Sequence, residues 1–321
     1  MSKKQQLQTK KFFDKIHLDW HKRAIFNKKN HFNTINERNN FALNCFKKLK
    51  LKTHLDLGCG SGELIKATSK YASKSVGIDF ADRMILTAKK RYGENINRNF
   101  YSIDIKKYLE EDGDRYDLIS ANGFFEYFST IEMNDLFKKI KKKLSRKGYL
   151  VGSFRNRLFN IFSLNNFSIN EVKAKNLDNL LNEAVFLNSP RYKMILNQKM
   201  GRNIRLKKIK YPETGGVKVE TRHQYTPIEI SRRLVKIGFS IEKYCFSIGK
   251  KTFFYRNSFL YKKSRGLGLN FFCRQLADFN LSVYPRKIST GFVPLLAWHG
   301  EFCPRRKTLA VKKINAAAND D

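Results

Sequence analysis

Between residues 53 and 154 short apolar runs alternate with stretches of helical period. The apolar runs are 53–57, Val76-Gly77-Ile78-Asp79, Phe100-Tyr101-Ser102-Ile103-Asp104, Tyr116–Asn122 and 148–154. Segments 63–71, 82–91 and 131–144 repeat their apolar positions at helical spacing, and Asp82 stands where an N-cap would. Strand and helix in strict alternation predict a doubly wound parallel sheet. Ligands of such sheets bind beyond the carboxyl ends of the strands, where the strand order reverses. Asp56, Asp79, Asp104 and Asn122 are all expected at or near that edge.

The flanks follow other patterns. Residues 10–50 read as helices, with Phe12, Phe13, Ile16, Leu18 and Trp20 before a polar break at 27–33. Ala42, Cys45, Phe46 and Leu49 then fall at i, i+3, i+4 and i+7. After Phe154 the alternation stops for about seventy residues, too long for a connecting loop, so a helical cap is expected there. A helix start with proline in its first turn follows at Thr226-Pro227-Ile228-Glu229, and it ends near Gly238-Phe239. Strands are expected at 240–247 and 308–312, the latter as a final antiparallel strand, with 252–306 aromatic and basic between them. The organisation expected is a helical N-terminal segment (1–50), a core (51–155), a cap insertion (156–225), completion of the sheet (226–314) and a disordered tail (315–321).

Charge sharpens this division. The net charge is +36, yet residues 51–150 carry nineteen Lys/Arg against fourteen Asp/Glu, only +5. Residues 1–50 hold +10 and residues 151–321 hold +21. If the flanks form the face where a substrate enters, that substrate is expected to be anionic. Five scattered cysteines, without a CxxC pair, suit a reducing compartment. Without an apolar N-terminal run or a span-length apolar stretch, a soluble, cytoplasmic protein is expected.

The most informative run is Leu55-Asp56-Leu57-Gly58-Cys59-Gly60-Ser61-Gly62, at a strand-to-helix junction. Glycines there let the main chain approach a ligand closely, and the following helix turns unpaired N–H groups toward it. A nicotinamide dinucleotide site would need glycine at position 63, where Glu63 stands. The G-x-G-x-G spacing, with an acid two residues before the first glycine, resembles class I S-adenosylmethionine-dependent methyltransferases. The resemblance covers about 53–155 firmly, and it lies with the small-molecule branch that includes the ubiquinone-synthesis enzymes. It implies a Rossmann-like α/β fold with a seven-stranded sheet, and S-adenosyl-L-methionine as cofactor.

It also implies roles. Asp56 would order the glycine loop or bind the methionine amino group, and Gly58, Cys59 and Gly60 would admit the cofactor along the backbone. Asp79 would take the ribose hydroxyls, Phe80 or Met84 would lie against the adenine, Asp104 would accept from its amino group, and Ile105 would also contact the cofactor. Ala121 and Asn122 would meet the methionine moiety, and Trp20 or Phe13 would close the site. Methyl transfer needs a base only for a hydroxyl or a protonated amine. Glu126, His223 and His299 are the candidates, with Glu126 and His223 preferred.

No metal is expected. His17 and His21 share a helix face without a third ligand and read as helix-surface residues. The metal-assisted ubiquinone-synthesis branch places two glutamates and a histidine where this chain has Gly123, Glu126 and Tyr127. Its acceptor is expected to be a small anionic molecule such as a sugar, lipid or metabolite, with peripheral contact to an acidic membrane surface. RNA is the alternative, supported by charge alone, since neither a base-methylation signature nor an RNP motif is present.

Overall fold

The computed structural model describes residues 3–24, 34–111, 113–161, 163–187, 189–197, 206–209, 223–247 and 278–285. Two helices come first, α1 (Lys3–Ala24) and α2 (Thr34–Lys48). The core then alternates as β1 (Thr53–Leu57), α3 (Glu63–Thr68), β2 (Lys74–Asp79), α4 (Asp82–Tyr92), β3 (Arg98–Ser102), α5 (Ile105–Glu111), β4 (Tyr116–Ala121), α6 (Thr130–Lys143) and β5 (Leu144–Arg155). Strands β3-β2-β1-β4-β5 pair in parallel in that order. Their inner residues are shielded on both faces: Leu55, Ile78, Phe100, Leu118, Ile119 and Val151 are all buried. That is why these strands read as continuous apolar runs rather than as alternating ones.

Beyond β5 come α7 (Asn166–Lys173), α8 (Leu177–Leu187), α9 (Tyr192–Asn197), α10 (Pro227–Ile237), β6 (Phe239–Ser247) and β7 (Asp278–Pro285). Strand β7 lies antiparallel between β5 and β6. The expected final strand at 308–312 falls outside the described residues; the antiparallel neighbour of β5 is 278–285, inside the segment read as aromatic and basic. Helix α10 starts where the sequence places it. Thr226 and Glu229 exchange capping bonds, Pro227 opens the helix, and Gly238 ends it at φ 94°.

Helices α7 and α8 return to the sheet through a buried polar network. Arg157 pairs with Glu171 through two bonds of 2.7 and 2.9 Å, and Asn160 and Asn176 also donate to Glu171. Tyr225 N–H donates to the Arg155 carbonyl, which brings the chain after the insertion back to the end of β5.

Local expectations differ in two places. Asp82 is the first residue of α4 rather than its N-cap; its carboxylate binds Lys10 and Ser102, and Asp14 from α1 accepts the Arg83 N–H instead. His17 and His21 are not surface residues. His17 Nδ1 meets Thr87 Oγ1 at 2.8 Å, and His21 is buried with Nδ1 2.7 Å from Glu63 Oε1, so both dock α1 onto the core.

Candidate functional site

The loop after β1 is held by β2. Gly58 and Cys59 N–H groups donate to the Ile78 carbonyl, and Gly60 N–H donates to Asp79 Oδ2 at 3.0 Å. The other Asp79 oxygen accepts from Ala81 N–H at 2.9 Å, so one carboxylate braces the loops after both strands. Gly58 and Gly60 sit at φ 70° and 54°. A Cβ on Gly58 would stand 3.0 Å from the Phe124 ring, and one on Gly60 would stand 3.2 Å from Trp20 Nε1. The helix behind this loop is short; the carboxylate of its first residue, Glu63, accepts from Ser61 and contacts His21. The glycine loop leads into a helix start that carries no side-chain cap.

Asp56 lies one strand over. Its Oδ1 accepts from the Ser120 hydroxyl of β4, directly opposite in register. Burial raises the carboxyl to about 7, against the lowering effect of that hydrogen bond. Burial likewise raises Asp79 to about 6, offset by its bonds from backbone N–H groups. Both acids are buried near the strand ends, Asp79 braced by backbone N–H groups and Asp56 by the Ser120 hydroxyl.

Helix α1 covers the β2–β3 side. Gln6 Nε2 donates to Asp104 Oδ2 at 2.9 Å, and a cavity of about 380 Å³ between α1 and the strand ends is lined by Gln6, Lys10, Phe80, Ser102 and Asp104. Met84 and Ile105 are buried rather than lining it. Phe13 stands edge-on to Trp20 at 5.7 Å and to Tyr127 at 6.1 Å; of the two aromatics expected to close the site, Trp20 borders the loop at Gly60 and Phe13 packs against Trp20. The Cys59 side chain turns away, to where a Cβ on Gly77 would be 2.9 Å from its sulfur, and burial pushes its thiol up.

At the end of β4, Asn122 donates to Asn39 Oδ1 at 3.3 Å, while its own Oδ1 is buried without a hydrogen-bond partner. Gly123 N–H donates to Ser153, and Arg38 Nη1 lies 2.9 Å from where a Cβ on Gly123 would stand. Close by, the Glu126 carbonyl accepts from His223 N–H at 2.8 Å. The Glu126 carboxylate forms an ion pair with Arg155. Burial lowers the His223 pKa from its usual value. The two preferred base candidates are thus neighbours, while His299 lies outside the described residues.

Residues 55–150 match the model of a methyltransferase domain. They form a class I S-adenosylmethionine-dependent methyltransferase domain. A ubiquinone biosynthesis O-methyltransferase of Bradyrhizobium diazoefficiens is 28% identical over 131 residues, 40% of this chain and 48% of that one. An mRNA cap guanine-N(7) methyltransferase of Schizosaccharomyces pombe is 32% identical over 113 residues, 32% of this chain and 31% of that one. The chain thus spans less than half the length of these curated relatives. In fold it is similar to the magnesium protoporphyrin IX methyltransferase of Synechocystis, with a TM-score of 0.52, 13% identity, and coverage of 88% of this chain and 100% of that one.

Several residues of the methyltransferase domain and its cover escaped the sequence reading. Arg38, Gln6, Ser120, His54 and Arg155 carry no motif; each matters because a distant element packs against the strand ends. Among the described residues no cluster of three or more His, Cys, Asp or Glu could hold a metal ion, and no helix is long and apolar enough to cross a membrane.

Proposed function

We propose that this chain transfers the methyl group of S-adenosyl-L-methionine to a small, anionic acceptor, at a hydroxyl. The observation that carries the cofactor half is the pair of buried acids, Asp56 and Asp79, beside a glycine loop whose residues leave no room for side chains. The residues fit the group. Asp79 would hold the ribose hydroxyls, Asp56 the ammonium of the methionine part, and Asp104 the adenine amino group once Gln6 yields. Arg38 beside Gly123, and the unpartnered Asn122 Oδ1, are disposed toward the methionine end, where a guanidinium would suit its carboxylate.

When bound, S-adenosylmethionine supplies a methyl group on a sulfonium that is already activated for in-line displacement. The protein's task is then mainly to orient the acceptor and exclude water. Phe13, Trp20 and Tyr127 form an apolar wall beside the glycine loop. His223, kept neutral by burial, is the better placed proton acceptor, because Glu126 is committed to Arg155. The excess of basic residues outside 51–150 supports an anionic acceptor, and contact with an acidic membrane surface would follow from the same charge.

Two measurements test this reading. Calorimetry should find one S-adenosylhomocysteine site per chain and no comparable affinity for NAD. Transfer of labelled methyl groups into fractionated small-molecule, lipid and RNA extracts should label an anionic small molecule or lipid. Label confined to RNA would replace the acceptor proposed here, and a chain indifferent to both adenosyl ligands would remove the cofactor.

A further inference from the structure

A histidine on a central parallel strand, fully buried and in contact with two hydroxyls, is not explained by packing alone. His54 shares a face of β1 with Asp56, two residues on. Its Nδ1 lies 2.8 Å from Thr68 Oγ1 of α3, and its Nε2 lies 2.7 Å from Ser120 Oγ of β4. Ser120 in turn donates to Asp56. The four side chains form one continuous chain, Thr68–His54–Ser120–Asp56, whose end is an acid of the proposed cofactor pocket.

We propose that Thr68, His54 and Ser120 are positioning residues that set the proton state of Asp56 for an ammonium-bearing ligand. The inference rests on the cofactor reading above for the identity of that ligand, but not for the behaviour of the chain itself.

The argument is one of donor counting. A neutral imidazole has one N–H and one acceptor nitrogen, and a hydroxyl has a single proton. Burial holds His54 neutral, its pKa lowered to about 3. With any proton of Asp56 on Oδ1, the oxygen that meets Ser120, two directions satisfy every contact. In the first, Thr68 donates to Nδ1, Nε2–H donates to Ser120, and Ser120 donates to an ionised Asp56. In the second, a protonated Asp56 donates to Ser120, Ser120 donates to Nε2, and Nδ1–H donates to Thr68, whose hydroxyl is 3.1 Å from the Leu64 carbonyl. The second state holds one more proton, on Asp56, and His54 is neutral in both. The histidine tautomer and the charge of Asp56 therefore change together.

The surroundings make this coupling useful. Asp56 is faced by Asp79 of β2 and Glu63 of α3, and both disfavour its ionised form, as does burial. The Cys59 thiol also lies near it. His54 is faced by the Phe46 ring of α2, at 5.8 Å, and by the two hydroxyls. The Ser120 hydroxyl is the one side-chain donor in contact with Asp56 among the described residues, and His54 decides whether it donates. A ligand ammonium at Asp56 would select the first direction, and hence the Nε2–H tautomer.

The experiment uses the full chain labelled with 15N-histidine. Long-range proton–nitrogen spectra should show His54 as the Nδ1–H form near about pH 5.5, passing to Nε2–H as Asp56 ionises by about pH 8. Saturating S-adenosylhomocysteine should give the Nε2–H form at both pH values. One unchanging tautomer across pH and ligand would overturn the proposal. A wild-type chain that binds no S-adenosylhomocysteine would sink the cofactor reading, yet the tautomer titration of the free protein would still decide this one. His54→Leu should weaken S-adenosylhomocysteine binding about tenfold at pH 7 and shift its pH midpoint upward, while His54→Gln, which can donate and accept at the same two points, should restore both to within about threefold. Equal binding by the Leu variant would count against the proposal. Should that variant fail to fold, Ser120→Ala must show the same loss.

Discussion

Gln6 donates its side-chain amide to Asp104 at 2.9 Å, across 98 positions of sequence. Asp104 is the acid that follows β3, and the amide group it accepts has the same hydrogen-bonding character as an adenine amino group. Helix α1 is anchored along this edge by Lys10 with Asp82, Asp14 with the Arg83 N–H, and His21 with Glu63. The first helix thus covers the proposed adenine end and fills its acceptor with one of its own side chains.

If Gln6 competes with adenine for Asp104, Gln6→Ala should strengthen S-adenosylhomocysteine binding by roughly threefold to tenfold, the size of one hydrogen bond no longer displaced. Calorimetry on the full chain reads this directly. Weaker binding would mean that Gln6 supports the ligand rather than yielding to it.

Asp79→Ala should cost on the order of 1.5–3 kcal/mol of cofactor affinity, for lost charged hydrogen bonds to the ribose. The same change frees the Gly60 and Ala81 N–H groups, so protection of these two amides from hydrogen exchange should also fall. An unchanged dissociation constant would remove Asp79 from the ribose site.

Asp56 gives a pH-dependent expectation. Its carboxyl, raised from 3.8 to about 7, holds a proton more tightly in the folded than in the unfolded chain. That contribution to stability is complete below about pH 4 and is lost as pH rises through about 7, an effect on the order of 4 kcal/mol. Asp56→Asn, which never ionises, should therefore leave the free protein more stable than wild type at about pH 8 and little changed near pH 4. The same variant should lose S-adenosylhomocysteine binding, since no charge remains for the ammonium. Thermal melts at the two pH values, with and without ligand, check both halves.

His223→Asn should lower the rate of methyl transfer by about a hundredfold while leaving S-adenosylhomocysteine affinity nearly intact. Because burial depresses the His223 pKa, activity carried by its neutral form should persist below the ordinary histidine range before falling. Glu126→Gln should cost less, because the glutamate's partner is Arg155. A wild-type rate in the His223 variant would exclude it as the base.

The buried pair of Arg157 and Glu171 predicts a stability effect away from the chemistry. Glu171→Ala leaves a guanidinium with a 4% exposed side chain without its bidentate partner, and takes one of two acceptors from each of the Asn160 and Asn176 amides. A loss of about 3–5 kcal/mol is expected in chemical denaturation. A change below about 1 kcal/mol would mean that water or another group takes up the charge.

The five strands from 53 to 155, three of the four helices between them (all but α5), the G-x-G-x-G turn and the acids Asp56 and Asp79 were legible in the sequence alone. The reason is physical: strand and helix periods, glycine turns and capping residues act within a few positions of one another. The same locality placed the start of α10 at Thr226-Pro227 and its end at Gly238. Contacts between distant segments had no such signature. Gln6 meets Asp104 only because α1 lies across the strand ends; Arg38 reaches Gly123 only because α2 packs beside β4; and His54 bears on Asp56 only through Ser120 on the neighbouring strand. The charge of Asp56, and the way its hydrogen-bond chain points, depend on burial by all of these elements at once. Those properties belong to the assembled fold.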